Sequence, residues 1–251
     1  MADYLRAECT KAFRRKYLYI ALLVCLAGES LLLLGSWLTY SWGNTNISFH
    51  STAVMVAAIL SFGLYATLIT GDIVFSDQYK HNTLKNEVSY GLPRARIYLG
   101  KLLVSCITAL VLCAIVLCAY VAMCWVVLPH DTGAAETMSL IYYCILTALP
   151  LWLGSQALVL MLYFLLKSST VASFLFIGVI LALPQVVKLL ITLVGPVFEY
   201  VYVCMLTTSL DMAPYAPWDM ALLGRSWAIG AGWFVITTLV GLICFQKREI
   251  N

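Results

Sequence analysis

Six long apolar runs, separated by shorter polar stretches, dominate the hydropathy pattern of this chain. They cover approximately 17–38, 51–71, 98–128, 138–166, 170–193 and 227–245. Each is near the roughly 20 residues a helix needs to cross a bilayer. The third and fourth are long enough to protrude. Residues 1–16 read differently: Leu5, Cys9, Ala12 and Phe13 recur at helical spacing, with Glu8, Lys11, Arg14 and Arg15 on the other side. That pattern predicts an amphipathic helix lying at a membrane surface. The run after it is too long for the apolar core of a signal peptide and ends in no small-x-small site, so a retained helix is expected.

The polar stretch 72–97 has order of its own. Leu84 and Val88 are one turn apart, with Lys85, Asn86 and Glu87 between them. Asn82 or Thr83 can cap the start, and Gly91 followed by Pro93 is a stop signal. A helix of about two turns is expected there, across the membrane surface. Pro93 suits the first turn of the next helix, with Arg94 and Arg96 at the headgroups. Such a short polar helix between two spans can fit a cleft on a soluble partner; the plainer reading is a connecting loop. The segment 194–226 is apolar in its first half but too short to cross, which fits a re-entrant or surface-lying piece. Pro214 and Pro217 break the chain before the last span.

Composition supports the membrane reading. Of 251 residues 63% are hydrophobic and 11% charged, with mean hydropathy +0.93. A soluble domain carries about 25% charged residues. The fold class expected is therefore an all-α integral membrane protein with six transmembrane helices. The basic residues set its orientation. Arg6, Lys11, Arg14, Arg15 and Lys16, then Lys80, Lys85, Arg94, Arg96 and Lys101, then Lys167, Lys247 and Arg248 all fall on one side. The positive-inside rule then places both termini in the cytoplasm. The opposite loops carry Asp131, Glu136, Glu199, Asp211 and Asp219 against Arg225. Small residues in span two (Ala53, Ala57, Ser61, then Gly63, Thr67, Gly71) permit close helix packing, expected within one subunit rather than between subunits.

Several chemistries find no support. No basic stripe is long enough to track nucleic-acid phosphates. Gly100-Lys101-Leu102 lacks the Ser or Thr of a phosphate loop, and position 95 is Ala rather than Gly, so ATP binding by this chain is not expected. His50, His81 and His130 share no helix face with a second ligand. The nine cysteines include no Cys-x-x-Cys pair and read as small hydrophobes. Cys106 and Cys113 share a face but lack a His or paired Cys to complete a metal site.

Two charges lie inside apolar runs. Glu29 sits about 18 Å and Lys188 about 27 Å from the cytoplasmic ends of their spans, counted by helical rise. A charge near the bilayer centre costs roughly 2.5–3.5 kcal/mol on insertion scales. A Glu29–Lys188 pair would relieve both; a polar point on a substrate path is the functional alternative.

The run from Phe75 through Asp77, Asn82-Thr83-Leu84-Lys85-Asn86-Glu87-Val88-Ser89-Tyr90-Gly91, Arg94, Ile97-Tyr98 and Gly100-Lys101 resembles the segment between spans two and three of ABC-2 type permeases. It is most similar to the bacitracin, lantibiotic-immunity and sodium-efflux permeases. Those carry an acidic residue, a Gly-Thr-Leu-Lys-like turn, Ser-x-Gly, an Arg and Ile-Tyr-x-x-Lys. Asn82 stands where Gly is usual, and Asn also tolerates a left-handed turn. The specific likeness covers about 30 residues; the six-span layout extends it coarsely.

The resemblance implies a single transmembrane domain over 1–251, with 1–16 as interface helix, 76–93 as coupling-helix loop and 194–226 as external or re-entrant segment. It implies a half-transporter of a prokaryotic plasma membrane. Two permease subunits, identical or related, would pair with two ATP-binding subunits, which hold the ATP and Mg while this chain carries no cofactor. The implied cargo is a peptide, an antibiotic-like or a lipid-like compound moved outward. Residues Asp77, Asn82, Thr83, Leu84, Lys85, Asn86, Glu87, Val88, Gly91 and Arg94 would couple to the ATPase, and Glu29 and Lys188 would line the path. An ion-coupled carrier using Glu29 and Lys188, and a related permease serving metal-centre maturation, stay open as alternatives.

Overall fold

A computed structural model describes residues 2–44, 46–75, 83–129, 133–166 and 168–247. Asp77, Lys80, His81, Asn82, His130, Asp131, Lys167 and Arg248 lie outside the described residues, and so does the side chain of Thr83.

Among the described residues every secondary-structure element is helical. Helix α1 (Ala2–Phe13) precedes α2 (Lys16–Ser41), which ends where Gly43 turns at φ +95°. A reciprocal Ser48/Ser51 capping box starts the one-turn α3 (Phe49–Ala53), and α4 (Val56–Phe75) follows almost in line. The short α5 (Thr83–Ser89) leads into α6 (Arg94–Val127) and α7 (Ala134–Leu165). Next come α8 (Ser169–Ile177) and α9 (Leu183–Leu193), joined by a π-helical stretch, Gly178–Ala182. Two short helices, α10 (Phe198–Val203) and α11 (Thr208–Met212), precede the long α12 (Met220–Lys247).

Among the described residues six helical segments are long and apolar enough to cross a membrane: 16–41, 49–75, 94–127, 134–165, 169–193 and 220–247. The protein is an all-α integral membrane protein. The last of these starts seven residues before the expected 227. The breaker is Pro217, and the Asp219 carboxylate then accepts a hydrogen bond from the Ala221 N–H at 2.9 Å, capping the first turn. Arg225, expected in a loop, is therefore inside a helix. The π-helical stretch sits directly before Pro184, whose ring cannot donate an i→i−4 bond and would crowd the carbonyl one turn back.

Helix α7 is the axis of the bundle. Two thirds (67%) of its most apolar stretch is buried, against 17% for α2. Its closest partner is α12, at a crossing made of glycine. A Cβ added to Gly154 would stand 2.9 Å from the Gly230 carbonyl oxygen, and one on Gly230 would collide with the Pro150 carbonyl group. Gly63 and Gly71 of α4 serve the same axis. Gly63 makes room for the Trp152 indole, whose N–H donates to the Leu60 carbonyl at 2.9 Å, and Gly71 receives Val159 and Tyr163.

The poles of the bundle differ. At one, α1, α5, the start of α6 and the end of α12 converge. Arg94 donates to the carbonyls of Phe245 (3.1 Å) and Gln246 (2.7 Å), beside a cluster of Phe75, Tyr98, Tyr163, Phe164 and Phe245 rings in mostly tilted or edge-on contact. The described basic flanks of the spans, including Lys16, Lys101 and Lys247, belong to this pole. At the other, α3 packs against α6 and α7, α11 against α4 and α7, and the 3₁₀ turn Ala213–Tyr215 against α7. Leu206, Leu210 and Ala213 are buried there, so the second half of the piece before the last span folds into the bundle, whereas α10 has no buried residue and leaves Val197 and Tyr200 exposed.

Candidate functional site

Two polar constellations stand out against the apolar bundle. The first lies where α1, α5 and α6 meet. Lys101, about two turns into α6, is wholly buried. Its ammonium donates to Glu8 Oε2 of α1 at 2.9 Å and reaches Glu87 Oε1 of α5 at 3.4 Å. Glu8 is 3% exposed and also pairs with Lys11. The Tyr4 hydroxyl donates to Glu87 Oε2 at 3.1 Å. Two carboxylates thus face two ammoniums, and the cluster is electrically balanced, the condition under which buried charges persist. Burial pushes the Glu8 carboxyl up, but Lys101 and Lys11 outweigh it, and the group sits below its ordinary 4.5. The Tyr4 hydroxyl is pushed well up by burial and then by Glu8 and Glu87.

Backbone shape makes this contact possible. A Cβ on Gly100 would stand 2.5 Å from the Tyr4 ring, so only glycine lets α1 lie this close to α6. The Gly100-Lys101 pair therefore has a packing and pairing reason that needs no phosphate. Glu8 corrects one expectation: it was assigned to the polar face of α1 with Lys11 and Arg14, whereas Glu8 and Ala12 are the buried residues of that helix. Periodicity groups Glu8 with polar residues because it cannot register a buried partner on another helix.

The same cluster divides the residues of α5. Leu84 is buried (2%) and Val88 half-buried, on the inner side with Glu87. Lys85, Asn86, Ser89 and Tyr90 face out, Tyr90 at 89% exposure. Gly91 turns at φ +82°, ending the helix, and Pro93 takes the position before the first residue of α6. Glu87, grouped by sequence with Lys85 and Asn86, is turned inward toward Lys101. Tyr4, Glu8, Lys101 and Tyr90 were missed as site residues. The available signals were a glutamate ringed by basic residues in α1 and a Gly-Lys step inside an apolar run.

The second constellation is a cavity of about 460 Å³ between α2, α4, α6 and α7. Its walls are apolar except for Glu29, Thr67, Thr70 and Gln156. The last three are engaged. Thr70 donates to Gln156 Oε1 at 2.7 Å, the Gln156 amide donates to the Ser105 hydroxyl, and Thr67 bonds Ser155 at 2.9 Å. Glu29 is different: it is 4% exposed, and both carboxylate oxygens are buried with no hydrogen-bond partner among the described residues.

The Glu29–Lys188 pair does not form. Lys188 lies in a separate, smaller pocket with Ser61, Tyr65, Tyr202 and Asp211, its ammonium 5.3 Å from the Tyr202 ring centroid. Asp211 comes from α11, which packs against α4 and α7, and Tyr202 from α10, which lies along α9, an arrangement no span-by-span reading could place. Asp211 is pushed up by burial, partly offset by Lys188 and by a hydrogen bond with Ser61.

A family described as ABC-2 family transporter protein matches residues 4–185, well over half of the chain. The chain belongs to the ABC-2 transporter family. It is a multi-pass permease subunit of an ABC transporter, and ABC-2 permeases partner with an ABC ATP-binding subunit. The matched stretch includes both the Glu8–Lys101–Glu87 cluster and the Glu29 cavity of this ABC-2 subunit; Lys188, α10 and α11 lie beyond it. No curated protein matches the chain.

Proposed function

We propose that this ABC-2 subunit is the membrane half of an exporter of the plasma membrane of a prokaryote, and that α5 is the helix through which a separate ATPase drives it. The observation that carries the reading is the buried Lys101 ammonium. It ties the α5 helix to α1 and α6 at once, while Lys85, Asn86, Ser89 and Tyr90 stay free to meet a partner. A push on α5 then moves α6 and α1 as one body, because separating them strands a buried charge. Leu84 and Val88 seat the helix, Gly91 and Arg94 set its exit angle, and the stretch holding Asp77, Asn82 and Thr83 leads into it. The ATP and Mg belong to the partner, and a second permease subunit completes the pore. The cargo is a peptide, an antibiotic-like or a lipid-like compound, taken outward past the Glu29 cavity and then the Lys188 pocket. Both termini lie in the cytoplasm, the side on which the basic pole would meet ATP.

Tyr90 supplies the test. Exposed tyrosines are frequent anchors of protein interfaces, and truncating one costs about 2 kcal/mol or more when it is an anchor. Tyr90→Ala combined with Lys85→Glu should weaken binding of the purified ATP-binding subunit by roughly thirtyfold, on a scale of about 1.4 kcal/mol per tenfold. Neither residue touches the ionic cluster, so the fold of the permease should be unchanged. Unaltered affinity together with unaltered ATPase coupling in proteoliposomes would reject α5 as the docking helix.

A further inference from the structure

We propose that the Glu29 cavity is a binding site for a lipophilic organic cation. The class of ligand follows from what the site offers. About 460 Å³ lies within the 300–1,000 Å³ usual for small-molecule sites. The walls come from four helices: Cys25 and Leu32 of α2, Phe62 of α4, Cys106 and Cys113 of α6, Trp152 of α7. Such walls accept an apolar or aromatic body and repel a hydrated ion.

Glu29 then sets the sign of charge. Its carboxylate oxygens are buried and unpartnered, while the neighbouring polar groups Thr67, Thr70 and Gln156 already satisfy one another. Within the cavity's lining no Lys, Arg or His answers it. A buried carboxylate with no partner is strongly unfavourable, and a cation brought by a ligand relieves it. A neutral ligand would fill the space without relieving the charge, and an anion would make it worse. Access is from the side. Val24, Leu32 and Phe62 line the cavity and are also exposed at 65%, 51% and 72% on the flank of the bundle. A molecule dissolved in the bilayer can therefore enter without crossing the polar poles.

This deepens the transport reading and rests on it for the idea that the ligand is cargo; the binding itself does not. The test accordingly uses the full-length permease in nanodiscs with no ATP-binding subunit, so that its outcome is separate from the docking role of α5. Tetraphenylphosphonium is the cationic probe, and tetraphenylborate, of the same shape and opposite charge, is the control. Wild type should bind the cation saturably and the anion at least about tenfold more weakly. Glu29→Gln preserves shape and removes the charge, and should weaken the cation by on the order of tenfold or more while leaving the anion unchanged or tighter. Ala109→Phe, which fills the cavity from α6, should abolish binding of both probes while Glu29 stays in place. Glu29→Asp should restore part of the cation affinity. Equal affinity of Glu29→Gln and wild type for tetraphenylphosphonium overturns the proposal, and so does the absence of saturable binding to wild type. If Glu29→Gln does not fold, the ratio of cation to anion affinity in wild type and the effect of Ala109→Phe still decide the matter.

Discussion

Lys101→Met should detach one end of this protein without unfolding its spans. The methionine keeps most of the unbranched stem and removes the ammonium. In the native cluster that ammonium is wholly buried, 2.9 Å from Glu8 and 3.4 Å from Glu87. Removing one partner of a buried ion pair typically costs about 3–5 kcal/mol, because the other charge stays buried and unpaired. Two features push the value to the low end. Lys11 still pairs with Glu8 from a position where its side chain is 60% exposed, and Glu87 keeps its bond from Tyr4. A figure of about 3 kcal/mol corresponds to roughly a hundredfold change in the local opening equilibrium.

The assay is amide hydrogen exchange resolved along the chain. Peptides covering 2–13 and 83–89 should exchange roughly a hundredfold faster in the variant, while those in α7 and α12 should not change. A second arm separates charge from packing: adding Glu8→Gln and Glu87→Gln to Lys101→Met removes all the stranded charge and should recover most of the protection. Acid gives a third arm in the wild type. The Glu8 carboxyl titrates below its ordinary 4.5, so its contribution is fully present above about pH 4.5 and is lost as pH falls through the folded value. Protection of α1 should therefore fall on acidification below that point. If Lys101→Met leaves exchange in α1 and α5 unchanged, the cluster does not hold them and the coupling route drawn from it fails.

Two further outcomes test the packing and the outer pocket. Gly230→Ala places a methyl against the backbone carbonyl of Pro150, which cannot rotate away, so the α7–α12 crossing should lose about 1–3 kcal/mol, read as a lower Tm; an unchanged melt would contradict the close crossing. Burial holds the Asp211 carboxyl above its ordinary 3.8, which subtracts stability at neutral pH and returns it as pH falls through the folded value. Lys188→Met removes an offsetting positive charge, so the gain in Tm on acidification should begin at higher pH than in wild type, and Asp211→Asn in the same background should abolish it; identical pH profiles for Lys188→Met and wild type would refute the Lys188–Asp211 coupling.

The likeness to ABC-2 permeases was readable in the residues around α5, and the family is also the one that residues 4–185 match. What was not readable is how α5 divides. Lys85, Asn86 and Glu87 are consecutive and polar, and nothing local separates the two that face out from the one turned to Lys101.

Sequence alone determined the solvent and the class of fold. Apolar runs near the thickness of a bilayer can satisfy their backbone only as helices, so six of them specify six spanning helices before any contact is known. Capping and breaking residues, such as Ser48 with Ser51 or Gly91 with Pro93, act within a few positions and are equally local. Tertiary structure decided which charges meet. Glu8 and Lys101 are 93 residues apart, and Lys188 meets Tyr202 and Asp211 because α10 packs along α9 and α11 against α4 and α7. It also decided that Glu29 meets no hydrogen-bond partner among the described residues. The reason is physical: a helix's own period says which residues share a face, but a buried charge is stable only through a partner on another helix, and that depends on packing at Gly100, Gly154 and Gly230 that no single helix encodes.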